Sequence, residues 1–254
     1  MHGSKVSNQL EEKLTQALEL ARESLQNRHR IGTQSERLMH STLKYFYENN
    51  DEFHEAKVGR YFADIFKDNH IYEVQTRHLG SLRKKLDFFL KDYEVTIIHP
   101  IHHNKWLTWV DPETGETSKR RKSPKTGNEY SAFRELYRIK SQLKHPNLRL
   151  KLVLIDVDEF RILNGWSKDR KKGSHRMESI PISIVDIVEI NSPADYIKLI
   201  PTGLPKEYTT KDYRKAAKIT QSAACTALNI LHHMDITKRV GKVGNAYLYK
   251  TLDI

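Results

Sequence analysis

Tyr61-Phe62-Ala63-Asp64-Ile65-Phe66-Lys67-Asp68-Asn69-His70-Ile71-Tyr72-Glu73-Val74-Gln75-Thr76 reads as two short strands joined by a tight polar turn. Side chains alternate faces along a strand, so Glu73 and Gln75 point the same way. A turn centred on Asp68 and Asn69 puts Asp64 directly across from Glu73. Two carboxylates facing each other in a sheet repel. A divalent cation converts that repulsion into a site, because hard cations take oxygen ligands.

Working outward, Asn8 to about Arg28 carries Leu10, Leu14, Leu18 and Leu25 near helical spacing, which suits a docking arm or a dimer interface. Gly32-Thr33 breaks it, and Thr33-x-x-Glu36 has the form of a capping box opening a second helix with Met39, Leu43 and Phe46 inward. Phe53 to Val58 precedes the quoted hairpin as a third strand. After the hairpin come a helix over Leu79–Lys91 and a buried strand over Tyr93–His99. The order is helix, three strands, helix, strand.

That order, with Asp64 and Glu73-x-Gln75 on the paired strands, resembles the PD-(D/E)XK nuclease superfamily over roughly residues 34–100. The resemblance implies an α/β fold with a restriction-endonuclease-like αβββαβ core on a mixed sheet. It implies that Asp64 and Glu73 hold Mg²⁺ or Mn²⁺ for phosphodiester hydrolysis of DNA, with the metal stabilising phosphate charge and lowering the pKa of a bound water. Mg²⁺ takes only one or two protein carboxylates, the number available here. Glu36 matches the Glu that such enzymes carry on the preceding helix, and His40 lies one turn later on the same face. Closing the capping box is the competing role for Glu36, and Glu55 competes for the same metal-side position.

The departure is Gln75, which stands where the superfamily usually has Lys. Some branches, including competence-associated and restriction-type nucleases, carry Gln there. An amide orients a water by hydrogen bonding but is no general base. Gln75 therefore also suits a catalytically inactive, nuclease-like DNA-binding regulator or assembly factor.

Beyond the core, Lys105–Val110 with Pro-Glu-Thr-Gly suggests a hairpin outside the sheet, followed by a basic loop holding Arg120, Arg121, Lys122 and Lys125. A helix over Tyr130–Leu143 and a buried strand over Leu148–Val157 follow. A second basic loop spans Gly165–His175, and Ile180–Ile190 is apolar and fits strand or helix equally. His99, His102 and His103 fit no zinc spacing and read as surface residues.

Pro201-Thr202-Gly203-Leu204-Pro205 has the composition of a linker. Thr209 or Thr210 then caps one helix, Thr220 caps another running to His233, and a glycine-tipped hairpin closes the chain. Two helices and a hairpin make a small winged helix-turn-helix domain. Ala224, Leu228 and Leu231 form the inward stripe of its recognition helix. Gln221, Ser222, Thr226 and Asn229 face out towards DNA, and Lys238, Arg239 and Lys242 on the wing suit phosphates. Arg77, just after the quoted hairpin, suits a phosphate oxygen. The expected divisions are an N-terminal arm over 1–31, a nuclease-like domain over 32–200 and the winged helix over 204–254.

The 254 residues are 38% hydrophobic and 30% charged, with a net charge of +11, which favours a polyanionic partner. The single cysteine, Cys225, excludes an internal disulfide and any Cys-rich zinc site, and reads as a small packing residue. No apolar run approaches the roughly 20 residues of a membrane span, and no signal peptide is evident, so a cytoplasmic location is expected.

Overall fold

The structure, a computed structural model, describes residues 2–27, 34–166 and 172–252. Helices α1 (His2–Asn27) and α2 (Gln34–Tyr47) precede β1 (His54–Val58), β2 (Tyr61–Lys67) and β3 (His70–Val74). A 3-10 turn, Leu79–Leu82, leads into α3 (Arg83–Phe89) and then β4 (Glu94–Val110). The element order from α2 to β4 is the expected one. The chain continues through β5 (Arg121–Lys122), α4 (Phe133–Leu136), β6 (Leu148–Trp166) and β7 (Lys172–Ile190). It ends with β8 (Tyr208–Thr209), α5 (Thr210–Ala217), α6 (Gln221–His233), β9 (Thr237–Val243) and β10 (Ala246–Thr251).

The main sheet has seven strands in the order β1-β2-β3-β4-β6-β7, with β5 on β4. It is mixed: β3 and β4 are parallel, whereas β1–β2 and β4–β5 are antiparallel. The turn between β2 and β3 is short because Asp68 and Asn69 both adopt positive φ, 49° and 61°. Those values match the right-handed strand twist, and Asp and Asn tolerate them better than bulkier residues. A three-stranded sheet, β8-β10-β9, forms near the C-terminus.

The chain divides into two compact units. In the first, residues 1–66, 100–128 and 153–187, α1 buries Leu14, Ala17 and Ala21 and lies against α2, which buries Met39, Leu43 and Phe46. The apolar stripe of the N-terminal helix thus meets a partner within the chain. In the second, residues 67–99, 129–152 and 188–254, the core is built from Ile71, Val74, Leu86, Phe89, Val95, Ile97, Phe133, Leu136, Leu150 and Leu152. Residues 208–251 belong to this unit: the Tyr213 hydroxyl donates to the Leu199 carbonyl at 2.7 Å, and Lys140 Nζ donates to Asn229 at 2.8 Å.

Several expectations are corrected. Pro100 does not end β4. The hairpin expected at Lys105–Val110 forms, with Val110 bridging Thr117 across the Pro-Glu-Thr-Gly turn, but its first arm is an extension of β4 within the sheet and the basic segment lies on its returning arm: Lys122 pairs with Trp106 and Arg121 with Leu107. The helix expected over Tyr130–Leu143 is broken into a 3-10 turn, one α-turn and a second 3-10 turn. Its apolar spacing survives, with Ala132, Phe133, Leu136, Ile139 and Leu143 all buried. Residues 180–190 are strand. Thr33 and residues 167–171 of the expected Gly165–His175 loop lie outside the described residues, while 165–166 end β6 and 172–175 begin β7. Cys225 is exposed, one position off the buried Ala224–Leu228–Leu231 stripe.

Candidate functional site

Asp64 sits on a strand whose core face is made by Ala63 and Ile65, 0% and 1% exposed. Alternation turns Asp64 to the other face, where neighbouring Phe62 is 57% exposed. The hydrophobic flanks thus bury the opposite side of β2, not Asp64 itself. In β1, Glu55 falls between the pairs His54↔Ile65 and Ala56↔Ala63 and so lies at the level of Asp64. Glu55 has φ of 50°, a left-handed value within a strand that only surrounding contacts can hold.

Helix α2 supplies a partner to each acid. His40 Nε2 is 3.2 Å from Asp64 Oδ2, and Lys44 Nζ is 2.5 Å from Glu55 Oε1. His40 and Lys44 are four residues apart and share a helix face. Lys44 is buried with its side chain only 5% exposed, while the Glu55 side chain is 48% exposed. Glu36 lies on α2 one turn before His40; its side chain is outside the described residues.

The second unit holds a separate acid–base group. Glu73 is 2% exposed, and Lys85 Nζ from α3 approaches its Oε2 to 2.6 Å. The same ammonium lies 5.7 Å from the Phe89 ring. Gln75 donates its side-chain amide to the Arg77 carbonyl, and its own carbonyl accepts from His99 Nδ1 at 2.7 Å. His99 is a buried residue, not a surface one, and burial holds its pKa below the usual histidine value. The reason is that β4 runs past it to Val110. In the first unit, His103, further along β4, is bonded through Nδ1 to Asp156 at 2.9 Å. Burial pushes the Asp156 carboxyl up, but bonds from the Asn104 backbone and from His103 outweigh it and lower its pKa. Sequence reading missed this Asp156 cluster, since its members lie more than fifty positions apart with no shared motif.

Asp64 and Glu73 are acids of the type Mg²⁺ takes, yet each already has a basic partner. Among the described residues, no group of three His, Cys, Asp or Glu side chains is placed to hold a metal ion. The donor arrangement as it stands fits ion pairs better than a metal.

The expected DNA contacts fall in two sets. In the first unit, Arg120 is bonded to Asp158 at 2.6 Å and lies 4.5 Å above Trp106. Lys122 lies 5.5 Å from the same ring, and Arg121 lies 5.2 Å from Trp109 on the other face of the ribbon. Lys125 is exposed in the following loop. The two tryptophans were the overlooked signal: cations stack on their faces. In the second unit, Arg77, Gln221 and Ser222 are exposed. Thr226 is half-buried, its hydroxyl bonded back to the Ser222 carbonyl. Asn229 is half-buried on that helix, and its side chain accepts from Lys140. Lys238, Arg239 and Lys242 are exposed on β9, with Arg239 4.1 Å and Lys242 5.0 Å from the Tyr247 ring.

Residues 37–191 match a family model described as a domain of unknown function, DUF8091. The chain belongs to the DUF8091 family. The matched stretch runs from α2 to the end of β7 and stops before β8, so it includes Asp64, Glu73 and the Asp156 cluster but not α5, α6 or the terminal hairpin. An uncharacterized protein of Treponema pallidum (strain Nichols) is 28% identical over 167 residues, covering 65% of this chain. The chain spans 64% of the length of that relative. No solved structure matches. Among the described residues, no helix is long and apolar enough to cross a membrane.

Proposed function

We propose that the protein binds duplex DNA through its C-terminal module, used as a winged helix. The order strand, helix, helix, hairpin from β8 to β10 supports this reading. One observation carries it. Helix α6 buries Ala224, Leu228 and Leu231 and leaves Gln221, Ser222 and Cys225 in solvent, while the adjoining hairpin presents Lys238, Arg239 and Lys242. Amide and hydroxyl groups on a free helix face suit base edges, and stacked cations on a ribbon suit phosphates. Thr220 caps α6 by accepting from the Ala223 amide at 3.2 Å, which leaves a defined helix start. Thr209 caps α5 with a full capping box to Asp212.

The test is fluorescence anisotropy of the full chain with a labelled duplex over a salt series. Arg239→Ala with Lys242→Ala is expected to weaken binding about tenfold and to flatten the salt dependence, as lost phosphate contacts do. Gln221→Ala with Ser222→Ala is expected to narrow the gap between preferred and random duplexes. A wild-type chain that ignores DNA at low salt defeats the reading.

Metal-dependent DNA cleavage is the second reading, favoured by one observation: Glu73 is an almost fully buried acid. Acids are seldom buried so deeply without a partner, and a divalent cation is one partner that suits a carboxylate. In this reading Asp64 and Glu73 each exchange a present partner, His40 or Lys85, for Mg²⁺ or Mn²⁺, and Gln75 orients a water. Plasmid cleavage that needs Mg²⁺ or Mn²⁺ and disappears in both Asp64→Asn and Glu73→Gln supports it. DNA binding without cleavage leaves the protein a regulator or assembly factor.

A further inference from the structure

The polar stripe of α6 does not stop at the end of that helix. Its last member, Asn229, accepts from Lys140 Nζ at 2.8 Å, so the stripe runs directly into the turn after α4. Lys140 Nζ lies 6.0 Å from the ring of Tyr137, which is 50% exposed despite its size. Arg138 is the next residue, and Arg134 lies one helical turn earlier; both are exposed. Arg83, at the start of α3, is drawn to the same place because its Nε donates to the Arg138 carbonyl. Lys84 beside it is exposed.

The nearby acids offset this ridge only in part. Glu135 accepts from the Leu79 amide at 3.0 Å and Asp87 from Gln142 at 2.8 Å, so both keep their negative charge, but Arg83, Lys84, Arg134, Arg138 and Lys140 outnumber them. Like charges gathered on one surface raise a positive potential that favours a polyanion over other partners. Arginine suits phosphate because its planar fork donates two parallel bonds. An exposed tyrosine at the centre adds a flat apolar surface for sugar or base.

We propose that the Arg83–Arg134–Arg138 ridge is a second phosphate-backbone contact for the nucleic acid held by α6, extending the footprint over α4 and the start of α3. The inference rests on the DNA reading above. An acidic protein surface is the rival partner, and it would make the ridge irrelevant to DNA affinity.

The experiment measures anisotropy of the full chain with duplexes of about 10 and about 30 base pairs across a salt series. The variants are Arg134→Ala with Arg138→Ala, and a second pair, Lys84→Ala with Arg134→Ala; both leave the Arg138 carbonyl that holds Arg83 in place. Lys57→Ala with Lys91→Ala removes the same charge from exposed positions elsewhere. Circular dichroism checks that each variant is folded. The ridge variants are expected to lose about fivefold in affinity for the long duplex. Their salt slope should drop by about 2, near 0.9 per lost phosphate contact. The short duplex should register little change. If the ridge variants behave like the Lys57/Lys91 control while the Arg239/Lys242 variant loses binding, the ridge is refuted and the DNA reading stands. If the wild type binds neither duplex, both fall.

Discussion

Asp64 and Glu73 lie on neighbouring strands of one hairpin, yet they are handled in opposite ways. Asp64 keeps a side chain 15% exposed and faces a histidine at 3.2 Å, a partner that carries charge only when protonated. Glu73 is withdrawn to 2% exposure and faces a lysine ammonium at 2.6 Å. Beside Asp64, the Lys44–Glu55 pair reverses the pattern, with the cation buried and the acid in water. Burial of one partner, more than distance, sets what each pair contributes. A buried charge that loses its counter-ion is stranded, whereas an exposed one is rehydrated.

The contrast is broken or sharpened by removing one partner at a time. Lys85→Ala removes the ammonium that faces the buried Glu73 carboxylate and is expected to destabilise the protein by about 3 kcal/mol, read from urea denaturation. If Glu73 is a metal ligand, Mg²⁺ should recover part of that loss in Lys85→Ala and leave wild type nearly unchanged. Indifference to Mg²⁺ in both marks Lys85–Glu73 as a structural ion pair. Glu55→Ala strands the buried Lys44 and should destabilise by about 2 kcal/mol, softened by the reach of the lysine chain towards water. An effect near zero would mean that the Lys44 stem packing, not its charge, is what matters. His40→Ala leaves Asp64 with access to solvent and should destabilise by only about 0.5 kcal/mol.

The smallest effect is one of pH. Burial is the leading cause that holds His54, His70 and His99 below the usual histidine pKa. The unfolded chain then binds more protons than the folded one as pH falls. Stability is complete above about 6.5, the ordinary histidine value, and declines as pH drops below it towards the folded values. Urea midpoints at about pH 7.5 and 5.5 measure the decline, which His99→Gln should shallow. A midpoint that rises on acidification contradicts the buried neutral histidines.

Local chemistry carried much of the sequence reading. Asp68-Asn69 marks the hairpin, Thr209 and Thr220 mark two helix starts, and the 224–228–231 spacing marks the buried face of α6. Each depends on residues within a few positions of one another. The readings that changed depended on distant neighbours. Asn229 has outward-facing spacing, but Lys140, 89 residues away, captures it. The basic segment around Arg121 looks like a loop until Trp106 and Leu107 offer it a strand to pair with. His99 looks exposed at a strand end, but the strand continues and packing closes over it.

By itself, the sequence determined the turns, the caps, the helix faces and the positive charge, because these follow from backbone preferences and side-chain periodicity. Only the tertiary structure decided which base meets which acid: His40 with Asp64, Lys44 with Glu55, Lys85 with Glu73. Such pairings arise when hydrophobic burial brings separate segments together, and the low dielectric of the packed interior then requires each buried charge to have a partner.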